Sequence, residues 1–153
     1  MAGALKERIN SEMKAALLGG DRFVGETLRN LKAAILNEEV ATGKRDEGLG
    51  DEEVEKVIAR EVKKRTESAK IYRDNDRPEL AEPEEREIDV IKVYLPEQLS
   101  EDELASIVEQ RIAELGANGP QAMGQVIGAV KAQVGNKADG AILAQIVKNT
   151  LSK

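Results

Sequence analysis

Apolar residues recur at three- and four-residue steps along nearly the whole chain, with charged residues between them, as in helices that each bury one stripe. Leu5, Ile9, Met13 and Ala16 mark a first helix over about residues 4–18, which Gly19-Gly20 stops. Asp21 is placed to cap a second, with Val24, Leu28, Leu31 and Ile35 inward, and its pattern fades near Thr42-Gly43. The charged, glycine-bearing stretch Lys44 to Gly50 then reads as a mobile loop. Asp51 opens a long third helix in which Val54, Ile58, Ala69 and Tyr72 share a face. Arg65 interrupts that face, its stem suited to cover apolar surface while its head reaches water or a carboxylate.

Pro78 suits the first turn of a fourth helix, and Pro83 lies early enough to be tolerated or to delay the start by a turn. Its stripe runs through Leu80 or Ala81, Ile88, Ile91 and Leu95, and Pro96 ends it, because a proline disfavours helical geometry in the residue before it. Residues 1–96 therefore form one unit, and a second occupies 97–153. Ser100 and Glu103 predict a capping box, with Leu99 and Leu104 stapled across it. Leu104, Ile107, Val108, Ile112 and Leu115 continue that fifth helix to Gly116, a left-handed C-cap. Pro120 fits the first position of a sixth helix with Met123, Ile127, Val130 and Val134 inward. Asp139 caps a seventh carrying Ile142, Ile146, Val147 and Leu151.

Seven helices and no strand make the expected class all-α. The composition agrees: 153 residues, 41% hydrophobic, 34% charged and 2% aromatic (Phe23, Tyr72, Tyr94), dominated by residues that lose little freedom in a helix. The absence of cysteine and histidine removes thiol nucleophiles, disulfides, imidazole acid-base catalysis and the usual zinc sites. No pair of carboxylates sits at a strand end or in an apolar setting, so no catalytic residue, metal or cofactor is assigned. The charged start Met1-Ala2-Gly3-Ala4-Leu5-Lys6-Glu7-Arg8 lacks the apolar run of a signal peptide. No segment nears the roughly 20 apolar residues of a membrane span, so a cytoplasmic protein without membrane contact is expected.

Net charge is -6, which opposes broad attraction to nucleic acid and makes any RNA contact local. Residues up to Glu97 carry -5 and the remainder -1. Lys56, Arg60, Lys63 and Lys70 line the third helix opposite its apolar face. They could track a phosphate backbone, but nearby carboxylates at helical spacing favour a solvated ion-pair lattice. On the sixth helix Gly124, Gly128, Lys131 and Gly135 lie on one stripe, where each glycine costs about 1 kcal/mol against alanine. Missing side chains let another backbone approach, either a neighbouring helix or a sugar-phosphate strand with Lys131 on a phosphate. Gly135-Asn136-Lys137-Ala138-Asp139-Gly140 lacks the spacing of a phosphate loop. It reads as a connecting turn, or as a helix start offering backbone donors to an anion beside Lys137.

Glu87-Ile88, Val93-Tyr94-Leu95-Pro96-Glu97-Gln98-Leu99-Ser100, Met123-Gly124-Gln125-Val126-Ile127-Gly128-Ala129-Val130 and Gly135-Asn136-Lys137-Ala138-Asp139 together resemble the GatB/YqeY family. Lys64-Arg65 with Ser68, and Leu80-Ala81 with Glu84, extend the resemblance over nearly the whole chain. It implies a C-terminal part similar to the tail of the B subunit of the glutamine-dependent tRNA amidotransferase, which helps engage tRNA. The chain has no room for that subunit's catalytic cradle. The resemblance therefore implies a stand-alone tail-like module behind an N-terminal bundle, binding tRNA or a tRNA-handling protein complex. Carried over residue by residue, the tail signature falls on Gly124, Gly128, Gly135, Lys137, Ala138 and Asp139, with Lys131 as a nearby phosphate partner. Two other readings stand beside it: a protein-interaction scaffold using the third and fourth helices without RNA, and a non-catalytic component assisting amidation of misacylated tRNA.

Overall fold

Every regular element of the computed structural model, which describes residues 3–153, is helical: α1 (Ala4–Leu18), α2 (Arg22–Ala41), α3 (Asp51–Asp74), α4 (Pro78–Ile91), α5 (Glu101–Leu115), α6 (Met123–Val134) and α7 (Gly140–Leu151). No strand occurs among the described residues. Met1 and Ala2, with which the charged N-terminal stretch begins, lie outside them. The chain divides into two units, one ending at Leu95 and the next beginning at Pro96.

In the first unit α1 packs along α2 and α3 along α4. Ile9 and Met13 from α1, Leu28, Leu31 and Ile35 from α2, Val54, Val57 and Ile58 from α3, and Ile91 from α4 close one core. Each large aliphatic side chain so buried contributes roughly 1.5–3 kcal/mol. Asp21 caps α2, accepting the Val24 N–H at 3.2 Å. Gly50 precedes α3, which opens at Asp51 as expected. The Asp51 carboxylate accepts the Leu5 N–H at 3.0 Å, tying the start of α1 to the start of α3.

The stretch from Lys44 to Gly50 is anchored, which corrects the expectation of a mobile loop. Leu49 is fully buried in the core. Its N–H donates at 2.9 Å to Glu39, a 1% exposed carboxylate at the end of α2 that also receives Lys6 Nζ at 2.6 Å. Lys44 adds a 2.8 Å pair to Glu53. Burial alone would raise the Glu39 pKa, but hydrogen bonds from Lys6 and Leu49, with the charges of Lys6 and Arg45, lower it below the ordinary glutamate value. Arg65 does what its position on an apolar face requires. It is 8% exposed, with one guanidinium nitrogen 2.9 Å from Glu61 and another 3.6 Å from Glu87.

Pro83 is tolerated inside α4. The helix nevertheless stops at Ile91, a turn earlier than its stripe predicts, and tightens into a 3-10 turn over Lys92–Tyr94. Leu95 is extended, as a residue before proline prefers. The tightened turn seats Tyr94, 6% exposed, whose hydroxyl donates to Glu12 on α1 at 2.7 Å while the Arg8 guanidinium lies 4.8 Å from the ring centre. That hydrogen bond is the first cause of a lowered Glu12 pKa, ahead of the Arg8 contacts that act in the same direction. Removing the hydroxyl by Tyr94→Phe leaves the ring in place and is expected to cost about 1 kcal/mol in denaturant unfolding. Addition of Arg8→Ala should then lower stability further through the lost cation-ring contact.

The second unit is a three-helix arrangement around Leu104 and Val108 of α5, Val126, Val130 and Val134 of α6, and Leu143 and Val147 of α7. Ser100 and Glu103 form the capping box, and Gly116 ends α5 at φ 62°. Pro120 opens a 3-10 turn, Pro120–Ala122, rather than α6 itself. The Ala122 N–H closes that turn on Gly119 at 3.1 Å, a tighter first turn of the kind that often leads into an α-helix.

Candidate nucleic-acid interface

The apolar residues of α6 recur so that Val126, Val130 and Val134 face the unit's core, which turns the glycine stripe more than a third of the way round the helix. Gly124 and Gly128 are exposed, and a methyl group built on either would meet nothing within 4 Å. No other helix of the second unit packs there. Packing within the second unit therefore does not explain these glycines, and what they leave there is an open strip of helix backbone. Lys131, on the same flank, is exposed.

The turn after α6 is held from two sides. Gly135 takes φ 55° and ψ -131°, a conformation suited to glycine. The Leu99 N–H donates to the Lys137 carbonyl at 2.8 Å, and the Gln98 amide to the Asn136 carbonyl at 2.9 Å. The segment after Pro96 thus fixes the turn that joins α6 to α7. Ala138 is half-buried against the core. Asp139 caps α7, accepting the N–H groups of Ala141 at 2.7 Å and Ile142 at 3.1 Å. Its carboxylate therefore stands where an anion at this helix start would sit, so the turn offers Lys137 as a cation rather than a cradle of backbone donors.

Of the six residues carried over from the family signature, Gly124, Gly128 and Lys137 are exposed, as is the neighbouring Lys131. Gly135, Ala138 and Asp139 shape the turn that presents it. Sequence reasoning did not single out Lys148 and Lys153, both exposed, on and just beyond α7. A count by helix instead of by unit reveals them: from Pro120 onward there are four lysines, Lys131, Lys137, Lys148 and Lys153, against the single acid Asp139, a net charge of +3. Five of the second unit's seven acids lie instead on α5, with Glu97 just before it. None of the four lysines enters an ion pair among the described residues.

The α3 stripe behaves differently. Arg60 pairs with Glu38 at 2.6 Å, Lys70 with Asp74 at 2.8 Å and Arg73 with Glu85. The Lys70 and Arg73 pKa values are raised first by the hydrogen bonds to those partners. This is the ion-pair lattice expected of a solvated helix face. All three aromatic residues lie in the first unit, so α6 and α7 carry no ring on which a base could stack. No cluster of three or more residues able to hold a metal ion occurs among the described residues, and no helix among them is long and apolar enough to cross a membrane.

The model of the Yqey-like protein family matches residues 6–151. Over 119 residues the chain is 30% identical to "Altered inheritance of mitochondria protein 41, mitochondrial" of Clavispora lusitaniae, a match covering 76% of this chain and 67% of that protein. It is 28% identical over 114 residues to the protein of the same name from Lachancea thermotolerans, covering 73% of this chain and 60% of that one. Both relatives are named as mitochondrial, which overturns the expectation of a cytoplasmic protein. That expectation rested on the missing apolar run, and such runs report on secretion and membrane insertion, not on which aqueous compartment holds a protein.

Proposed function

Since the chain belongs to the Yqey-like protein family, we propose that it is an accessory module that binds tRNA, or a complex handling tRNA, through the open flank of α6 and the lysines beside it. In this reading α1 to α4 form an N-terminal bundle and α5 to α7 a tail-like unit, and the role is positioning rather than catalysis. The observation that carries it is the empty space over Gly124 and Gly128. A glycine in a helix costs about 1 kcal/mol against alanine, and here no packing contact offsets that cost. An approaching sugar-phosphate backbone would use the missing side chains, with Lys131, Lys137 and Lys148 supplying charge.

Lysine contacts to phosphate release counterions, so affinity must fall with salt in proportion to their number. Filter retention of labelled tRNA across a salt series is expected to give a log-log slope of about -3 for three contacts, on the scale of -0.9 per phosphate. A slope near zero, or no retention at low salt, removes the reading.

A further inference from the structure

On α2 a second surface stands open, away from the core and in the other unit. Arg29, Ala33, Leu36 and Val40 recur at three- and four-residue steps, the spacing by which one helix receives another. Leu36 is 42% and Val40 60% exposed, although both are large apolar residues. Beside them a groove of about 280 Å³ is lined by Lys6, Arg29, Lys32, Ala33, Leu36 and Glu39.

The charge of this groove is one-sided. Glu39, its sole acidic wall residue, is 1% exposed and lies under Lys6. Lys32 Nζ donates to the neutral Asn10 side-chain amide oxygen at 2.7 Å, and no ion pair among the described residues involves it. Arg29 meets Glu26 at 3.4 Å, with both side chains largely in water, a pair of small energetic weight. Solvent therefore meets a cationic rim over an aliphatic floor, on a chain whose net charge is -6.

We propose that this groove docks an acidic amphipathic helix of a partner protein. The partner's apolar residues, spaced by three or four, would cover Ala33, Leu36 and Val40, and carboxylates flanking them would meet Arg29 and Lys32. Nucleic acid fits the surface less well, because the floor gives a phosphate no donor and a base no ring to stack on. This proposal is independent of the tRNA reading and uses no residue of the α6 flank.

The test is fluorescence anisotropy with the full chain and two labelled helical peptides that share one leucine pattern at helical spacing. One carries glutamates at its polar positions and the other lysines. The acidic peptide is expected to bind and the basic one not. Leu36→Asp, at an exposed position, should leave the circular dichroism unchanged while weakening the acidic peptide by about tenfold or more. Arg29→Glu with Lys32→Glu should reverse the peptide preference. Equal binding of both peptides, no binding of the acidic one, or indifference to Leu36→Asp overturns the proposal. So does sedimentation showing self-association that Leu36→Asp dissolves, which would give the groove to a second copy, or Leu36-dependent binding to anionic vesicles. Retention of tRNA by Leu36→Asp is expected to match the unaltered chain, so the two surfaces fail separately.

Discussion

Combining Lys131→Glu, Lys137→Glu and Lys148→Glu is expected to abolish tRNA retention at low salt with helix content unchanged. All three side chains are exposed, and no ion pair among the described residues involves them, so their reversal breaks no internal contact. The fold should tolerate it, since exposed substitutions away from such contacts usually fall within about 0.5 kcal/mol. Binding has no comparable reserve. Three phosphate contacts turned into three repulsions remove the whole favourable charge of a segment whose net charge is +3. The same change made on α3, Lys56→Glu with Lys63→Glu, is expected to matter far less, because neighbouring Arg60, Lys70 and Arg73 already sit in the ion-pair lattice. Native gel shift of unfractionated tRNA with the two variants side by side makes the comparison. Equal loss in both would move the interface away from α6 and α7.

The largest stability effect should come from Glu39→Ala. The substitution strips Lys6 and the Leu49 N–H of a shared acceptor beside a fully buried leucine. Leaving the buried Leu49 N–H without its acceptor costs about 1–3 kcal/mol, and the part-buried Lys6 ammonium, a quarter exposed, recovers hydration for some of what it loses. The sign of the pH dependence follows from the lowered Glu39 pKa. A carboxylate whose folded pKa lies below its unfolded one contributes stability that is present above the unfolded value and lost as pH falls through the folded value. Urea unfolding of the unaltered chain should therefore weaken through the acid range. Glu39→Gln should start lower at neutral pH and flatten there. An unaltered acid limb in Glu39→Gln would show that other carboxylates govern acid stability.

Most of the fold was legible because most of its signals are local. The Asp21 cap, the capping box of Ser100 and Glu103, the left-handed Gly116 and the Asp139 cap each involve residues a few positions apart. The anchored Lys44 to Gly50 stretch was not legible. Its hold depends on Glu39 reaching Lys6 across 33 residues, and a glutamate in a helix reads as solvated until a partner is found for it. The early end of α4 has the same cause, since the 3-10 turn is secured by Tyr94 reaching Glu12 across 82 residues.

At the candidate interface the 3.6-residue period placed the glycines on one flank but could not say what covered it. Periodicity orients a helix against its own apolar stripe, not against its neighbours. The structure supplies that missing fact, an uncovered flank. It also gives Ala138 and Asp139 tasks within the fold that the family signature did not distinguish from ligand contact. Lys148 is not legible in the sequence because it lies outside the family motifs and because charge summed over the whole second unit hides its division between α5 and the two following helices.

The glycine flank itself can be filled without touching a lysine. Gly124→Gln with Gly128→Gln adds two neutral side chains where nothing stands within 4 Å, and glutamine is the better helix former by roughly half a kcal/mol at each site. Equilibrium binding of labelled tRNA to this variant, with its thermal melt measured alongside, should show a helix at least as stable as the original and an affinity reduced by about tenfold or more through blocked approach of the backbone. Undiminished tRNA affinity in a folded variant would contradict a docking role for the flank.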